Sequence, residues 1–236
     1  MSAAGEAFLR QSSALSAWAS GLAAREWAAP SALPNWTVRD LVAHLVIVHE
    51  SLVRTLAVGS DEPATPLGAY VSTYSAHAEE LERLAQDRAA STTPAELLER
   101  LTELRTLIAD AVATGGPSVL ASARGPVSRE DFLRTRALEA TVHSDDLARS
   151  LPDRPGPALD TEALSTTVGV LLEALAEQRL GEGQRVVVPH VGEVEVGGTG
   201  AFEIAPLEAL RLFTGRVTPD AVDATRTDPS WGPVLA

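Results

Sequence analysis

The sequence predicts an α+β protein in which a bundle of four or five helices over residues 1–151 precedes a small α+β domain over residues 158–236. Apolar residues recur at helical spacing through most of the first 150 positions. Short apolar runs between Gly-rich turns appear only later, beyond residue 184. The proline-rich segment 152–157 separates the two patterns, and we place the domain boundary there.

Five helices are expected in the first part. Capping signals mark three of their starts. Thr37 and Ser128 each stand three residues before an acidic side chain, and Thr93 is the expected N-cap of the fourth helix. A proline follows Thr93 at the first helical position, where its missing N–H costs nothing. Segment 118–126 is expected to be irregular. The predicted helices cover residues 4–27, 38–58, 67–89, 94–112 and 129–150.

The second part is expected to alternate between helix and strand. An apolar helical pattern over 161–180 ends near a glycine. Three short runs follow, two of them rich in valine, and predict strands, and a proline-initiated helix comes last. These elements should cover residues 185–188, 193–196 and 201–204 as strands and residues 206–214 as a helix.

Composition excludes several classes of function. The net charge of −13 argues against nucleic acid and anionic membrane surfaces as partners, since both attract basic patches. No run of 18 apolar residues predicts a membrane span, and the first residues lack the basic start of a signal peptide. We therefore expect a soluble, cytoplasmic protein.

Two residue types are missing from the chain. Without cysteine it has no disulfide, thiolate ligand or thiol nucleophile of its own. All 19 basic residues are arginine, so Schiff-base chemistry and a phosphate-loop lysine are excluded as well. An enzyme of this composition would have to rely on serine, a carboxylate, metal-bound water or a nucleophile supplied from outside.

Glu139 and His143 lie one helical turn apart and on the same face, so both could reach one metal ion. Together with Asp146 they place three polar groups in an otherwise apolar sector, where ionisable groups are costly unless paired or metal-bound. His44 could supply a third ligand. Two histidines and a glutamate with one open position form the ligand set of a catalytic zinc site.

Spacing alone also allows simpler interpretations. A Glu and a His four residues apart can form an ordinary hydrogen bond on a helix surface. Asp40 stands four residues before His44, but it also occupies the N3 position of the Thr37 capping box. His49 lies within the apolar stripe of its helix whereas His44 lies at the margin, so helical phase leaves open which histidine faces the site.

Three segments together resemble a known family. They are Trp36-x-x-x-Asp40-x-x-x-His44, Glu139-x-x-x-His143 with Asp146, and Leu212-Phe-Thr-Gly-Arg216. This combination resembles the mycothiol-dependent maleylpyruvate isomerase family, within the wider group of DinB-like metal-binding bundles. The resemblance covers nearly the whole chain and implies a DinB-like bundle followed by a small sterol-carrier-like α+β domain.

The resemblance also implies roles for particular residues. His44, Glu139 and His143 would bind a divalent metal, with zinc expected, which decides between His44 and His49. Arg216 would be a catalytic residue that reaches the site from the second domain; the alternative is a surface arginine after the helix end. Asp40 and Asp146 are candidate hydrogen-bond partners of the ligating imidazoles, because such histidines usually donate their other N–H to a carboxylate.

The implied nucleophile is mycothiol, a low-molecular-weight thiol held as thiolate beside the metal, which fits a chain without cysteine. The expected activity is S-transfer to, or cis–trans isomerisation of, a small electrophile, with transfer preferred and a monomer or homodimer as the assembly. One alternative is a non-catalytic metal- or ligand-binding regulatory protein. Another is a metal-dependent hydrolase, because the same ligands can activate water.

Overall fold

The computed structural model describes residues 2–178, 183–197, 200–218, 221, 222 and 234. It has the predicted α+β composition, with a helical N-terminal part and a small sheet near the C-terminus. The helices are α1 (Ala3–Ala19), α2 (Ala24–Trp27), α3 (Val38–Leu56), α4 (Leu67–Val71), α5 (Ala78–Ser91), α6 (Pro94–Thr114), α7 (Arg129–Ser150), α8 (Thr161–Gln178) and α9 (Pro206–Phe213). The strands are β1 (Val119–Ser122), β2 (Gly125–Ser128), β3 (Gly183–Val188), β4 (Gly192–Gly197) and β5 (Gly200–Glu203).

The predicted helix starts are confirmed at α3, α6 and α7. At α3, Thr37 Oγ1 accepts a hydrogen bond from Asp40 N at 3.2 Å, and Asp40 Oδ2 accepts one from Thr37 N at 2.7 Å. Thr93 and Glu96 form the same reciprocal box at α6. Ser128 caps α7 by accepting from a backbone N–H of its first turn. Short polar side chains thus satisfy backbone donors that the helix itself leaves unpaired.

Two predicted continuous helices are broken in the structure. The first ends at Ala19 and gives way to a turn before the short α2. The predicted helix 67–89 stops after α4, then continues through a 3₁₀ turn (Ser75–His77) into α5. At this break, Ser72 Oγ and Thr73 Oγ1 donate to carbonyls three residues earlier. Such local side-chain bonds compete with helix continuation, and apolar periodicity does not register them.

The segment expected to be irregular is a β-hairpin. Strands β1 and β2 pair antiparallel, with Leu120 opposite Val127. Ser122 closes the turn, since its hydroxyl accepts from Arg124 N and donates to Gly125 O. Gly125 has a φ of 109°, a conformation that other residues rarely adopt. Four-residue strands are too short to give a clear alternating pattern, which explains why the sequence did not predict this hairpin.

At the C-terminal end, the sheet has the order β4-β3-β5, with β4 antiparallel and β5 parallel to β3. Helix α8 begins after Asp160, which accepts a hydrogen bond from Ala163 N, and its predicted end near residue 180 lies outside the described residues. Helix α8 packs on α1, α4 and α7 and also on β4 and α9. It therefore joins the sheet to the bundle, and a domain boundary near residue 152 stays a prediction.

The bundle encloses one apolar core, in which side chains such as Phe8, Leu41, Leu101 and Phe132 are fully buried. Within the described part of the chain, no helix is both long and apolar enough to cross a membrane.

His49 is part of this core, and it is fully paired. Its Nδ1 donates to Leu45 O at 2.7 Å, so its Nε2 accepts from Ser12 Oγ at 2.6 Å. Burial lowers the pKa of His49 from 6.5 to about 4. The side chain is thus a neutral structural histidine that links α3 to α1.

Because folded His49 stays neutral while the unfolded chain takes up a proton below about pH 6.5, stability should fall between pH 6.5 and 4. The loss attributable to this residue is about 3 kcal/mol. Urea unfolding of wild type and His49→Gln across this range measures it, because the variant lacks the titrating group. Parallel stability curves for the two proteins would contradict the assignment.

Candidate metal centre

The central polar cluster lies between two packed helices. Helix α3 contributes His44, while α7 contributes Glu139 and His143 from successive turns. Glu139 Oε2 lies 3.4 Å from His44 Nε2 and 3.3 Å from His143 Nε2, and all three side chains are buried. The two imidazole rings stand nearly perpendicular, with centroids 4.9 Å apart. The structure thus brings together the three residues predicted as metal ligands, although His44 and Glu139 are 95 positions apart in the chain.

These separations fit a shared cation better than direct hydrogen bonds. Strong hydrogen bonds between imidazole and carboxylate measure about 2.7–2.9 Å. Donor atoms that surround a tetrahedral zinc ion at about 2.0–2.1 Å are instead about 3.3–3.4 Å apart, close to the observed values. One ligand atom from each of the three residues lies within 4.8 Å of the others. In the described part of the chain this is the one group of three acidic or histidine side chains arranged to hold an ion.

A hydrogen-bonded chain lies behind His143. Its Nδ1 is 3.0 Å from Asp146 Oδ2, and Arg216 binds the same carboxylate through two nitrogens, at 2.9 and 3.2 Å. Arg149 Nη1 lies 3.5 Å from Asp146 Oδ1. An ionised Asp146 accepts the Nδ1 proton and so leaves the Nε2 lone pair of His143 directed at the cluster.

Burial and charge act against each other on these groups. Burial alone would lower the pKa of His143, but Asp146 and Glu139 raise it to about 8. Burial alone would raise the pKa of Glu139, but its contacts with His143 and His44 and the charge of Arg136 lower it well below its usual range. The pKa of Asp146 is likewise lowered by His143 and Arg216 against the effect of burial. The cluster therefore holds two carboxylates that require positive charge beside them.

His44 is supported differently from His143. Burial lowers its pKa, and its Nδ1 has no hydrogen-bond partner among the described residues. The Trp36 ring packs edge-on against it at 5.7 Å between centroids. Asp40, a candidate partner of the imidazoles, accepts hydrogen bonds from Thr37 N and Oγ1, both at 2.7 Å. These bonds are the capping role that the sequence also predicted for Asp40.

Arg216 follows α9 in the chain and contacts Asp146. Besides the pair with Asp146, its Nη1 donates to Thr214 O at 2.8 Å. Arg216 is not among the residues that line the neighbouring cavity. One residue earlier on α7, Asp145 forms a parallel pair with Arg211 of α9, with contacts from 2.6 to 3.2 Å. Two adjacent carboxylates of α7 thus hold the C-terminal segment.

Beside the cluster lies a cavity of about 370 Å³, here called the α3–α7 cavity. His44 and Glu139 form part of its wall. The rest of the wall comes from the turn between β1 and β2 and from residues of α4 and α5. Three arginines of this wall, Arg54, Arg124 and Arg136, were not predicted from the sequence. The position of Arg136, three residues before Glu139 on the same helical face, was the one available signal.

A buried His-Glu-His cluster at the centre of a helical bundle defines a candidate metalloprotein. Residues 8–148 match the family model described as "Mycothiol maleylpyruvate isomerase N-terminal domain". This match covers more than half of the chain, and the protein belongs to that family.

Two solved structures share the fold. Both are crystal structures of the mycothiol-dependent maleylpyruvate isomerase, one of them a histidine-to-alanine mutant. Their TM-scores are 0.63, with 16% and 17% sequence identity over 92% of this chain and 90% of theirs. No curated protein matches the sequence. The structural similarity therefore extends the shared fold beyond the family model to most of the chain.

The contact between Asp146 and His143 generates a direct prediction. Asp146→Asn should weaken zinc binding about 10–100-fold, because the amide no longer favours the His143 tautomer with a free Nε2. Asp145→Asn is the matched control, since this neighbour pairs with Arg211. Competition titration with a chromogenic chelator measures both affinities. Equal zinc affinities for the two variants would show that Asp146 does not support the site.

Proposed function

We propose that this protein is a metal-dependent enzyme that uses mycothiol as the nucleophile on a small electrophilic substrate. The proposal rests above all on the convergence of His44, Glu139 and His143 beside a cavity. Family membership supports the thiol, since the matching model is that of a mycothiol-dependent isomerase domain. The reaction is cis–trans isomerisation or S-transfer, which share a first step.

His44, Glu139 and His143 would hold the metal, and their nitrogen and oxygen atoms suit zinc. When bound, a divalent cation lowers the pKa of a thiol beside it, so that the thiolate is available at neutral pH. Three protein ligands would leave a position for an exogenous group, as in catalytic rather than structural zinc sites. All three side chains are buried, and His44 and Glu139 also line the α3–α7 cavity, through which such a group would reach this position.

The absence of cysteine fits a site in which the protein holds the metal and the cosubstrate supplies the sulfur nucleophile. In isomerisation, the thiolate adds to an activated double bond, the former double bond rotates, and the thiolate leaves again. In S-transfer, the new carbon–sulfur bond persists and a leaving group or an opened epoxide oxygen takes the electron pair. Both require the electrophile to lie in a cavity next to the cluster, and the α3–α7 cavity has a suitable size for a small molecule.

We assign Arg216 and Asp146 to positioning. Arg216 keeps Asp146 ionised, and Asp146 orients His143 through its Nδ1. The family resemblance implies that Arg216 is a catalytic residue that reaches the site from the second domain. Its bidentate contact with Asp146 favours an indirect role instead, in which Arg216 holds Asp146 in place and Asp146 in turn orients His143.

Metal content tests the first half of the proposal. Wild-type protein should contain about one zinc per chain after zinc loading and desalting, and His143→Ala should lose it because one of three ligands is gone. His77→Ala is the control, since His77 lies in the wall of the α3–α7 cavity, 3.8 Å from Glu80, and is not part of the cluster. Elemental analysis gives the stoichiometry. Absence of metal from zinc-loaded wild type would refute the proposal.

Turnover tests the second half. Zinc-loaded protein should isomerise maleylpyruvate, or consume an epoxide or an activated halide, only when mycothiol is present, and His44→Ala should abolish the activity. Product analysis by mass spectrometry separates isomerisation from transfer. Hydrolysis without thiol would establish a hydrolase instead, and zinc binding without turnover in any of these assays would indicate a binding protein.

A further inference from the structure

The two histidines of the cluster are oriented in different ways. His143 Nδ1 is paired with Asp146, which is the usual support of a histidine that binds a metal. His44 Nδ1 is buried and has no hydrogen-bond partner among the described residues. No hydrogen bond of this nitrogen therefore fixes the rotation of the His44 ring in the part of the chain that the structure describes. The orientation of His44 depends on packing instead.

Two aromatic rings pack against His44. The Trp36 ring stands nearly perpendicular to it, at 82° and 5.7 Å between centroids. The His143 ring is also nearly perpendicular, at 83° and 4.9 Å. Perpendicular aromatic pairs at about 4.5–7 Å are attractive, because the positive edge of one ring meets the negative face of the other. Rotation of the His44 imidazole would disturb both contacts, and Trp36 is the partner that is not itself a candidate ligand.

The loop before α3 fixes the position of Trp36. Pro30 and Thr37 pair as an antiparallel bridge, and Ser31 N donates to Trp36 O at 2.8 Å, which closes the loop between them. Asn35 has a φ of 68°, in the left-handed region that asparagine tolerates better than most side chains. A backbone conformation of this kind persists only where the surrounding structure holds it. The indole is thus presented to His44 by a turn with a defined geometry.

The same loop is attached to α7. Ala32 N donates to Ser150 Oγ at 2.8 Å, and Ser150 Oγ donates in turn to Asp146 O at 2.7 Å. Asp146 is the residue that orients His143. The loop that carries Trp36 is therefore hydrogen-bonded to the end of the helix that supports the other imidazole. The supports of the two histidines belong to one connected frame.

We propose that Trp36 is the positioning residue of His44 and does by packing what Asp146 does for His143 by a hydrogen bond. Trp36 holds the plane of the imidazole so that Nε2 faces the metal position. An imidazole without a carboxylate behind it is a weaker base than one with it, so His44 would donate less charge to the metal than His143. The inference rests on the metal site of the proposed function, and it does not depend on the thiol or on the substrate.

Zinc affinity tests this role. Trp36→Leu should weaken zinc binding about threefold to tenfold, the loss that corresponds to the usual free energy of a perpendicular aromatic pair. Trp36→Phe keeps an aromatic ring at this position and should stay within about twofold of wild type. Trp18→Leu is the control, because Trp18 contacts Arg154 and Pro155 O and should leave zinc affinity unchanged. Competition titration with a chromogenic chelator measures all four proteins.

The absorption spectrum of cobalt(II)-loaded protein separates positioning from a general loss of stability. The d–d bands of cobalt(II) depend on the geometry of its ligands. Wild type and Trp36→Phe should give the same bands. Trp36→Leu should give weaker bands, because a misoriented imidazole is displaced by solvent and the coordination number rises. A purely structural effect would lower the urea midpoint of Trp36→Leu and leave the cobalt spectrum of the folded protein unchanged, which would overturn the role.

Tryptophan fluorescence keeps the role testable if Trp36→Leu does not fold. Zinc should change the emission of wild type, because binding to His44 alters the imidazole that Trp36 contacts. This change should be lost in Trp36→Phe, although the variant still binds zinc, and should persist in Trp18→Phe. A zinc-induced change of wild-type size in Trp36→Phe would overturn the proposal. So would wild-type zinc affinity and a wild-type cobalt spectrum in Trp36→Leu.

These outcomes are separable from those of the proposed function. Failure of zinc-loaded wild type to retain metal would refute the metal site itself, and with it both proposals. Zinc binding by wild type that Trp36→Leu reproduces in affinity and geometry would refute the role of Trp36 alone. The site and the proposed thiol chemistry would then stand without it.

Discussion

A buried polar cluster lies where α3 packs against α7, and the arrangement of the surrounding elements depends on how its charged groups are paired. Eight of the buried side chains of α7 are polar, an unusual number for a central helix. Thr135, Thr141 and Ser144 satisfy themselves by donating to carbonyls of their own helix. The charged members are instead paired with one another along α7 and with arginines of the C-terminal segment.

The pairing of the charged groups explains the arrangement of the remaining elements. Asp145 and Asp146 bind Arg211 and Arg216, which brings the C-terminal segment against the outer side of α7. His143 is held between Asp146 and Glu139. Among the described residues, the space between His44, Glu139 and His143 remains without a full set of protein partners. A cation bound there would complete it.

Local signals predicted much of this structure. The caps at Thr37, Thr93 and Ser128 fixed the starts of three helices, and polar residues at i, i+4 and i+7 in an apolar sector singled out Glu139, His143 and Asp146. Breaks caused by side-chain bonds of Ser72 and Thr73 were not predicted, because periodicity responds only to which face is apolar.

The choice between His44 and His49 illustrates a different limit. Both are buried, because α3 packs against α7 on one side and against α6 on another, so burial does not distinguish them. They differ in their contacts: His49 contacts Ser12 and the carbonyl of Leu45, whereas His44 contacts Glu139. Only tertiary structure supplies that information. Arg136 was overlooked for the same reason, since an arginine near a glutamate on a helix usually forms an exposed pair.

X-ray absorption at the zinc edge tests the central claim most directly, namely that this cluster holds a metal to which an external thiol binds. Without thiol, zinc should show only nitrogen and oxygen neighbours at about 2.0–2.2 Å. After addition of mycothiol, one sulfur neighbour should appear at about 2.3 Å, and it must come from the cosubstrate because the chain has no cysteine. An unchanged spectrum after thiol addition, or a shell of six oxygen neighbours in both samples, would contradict the account.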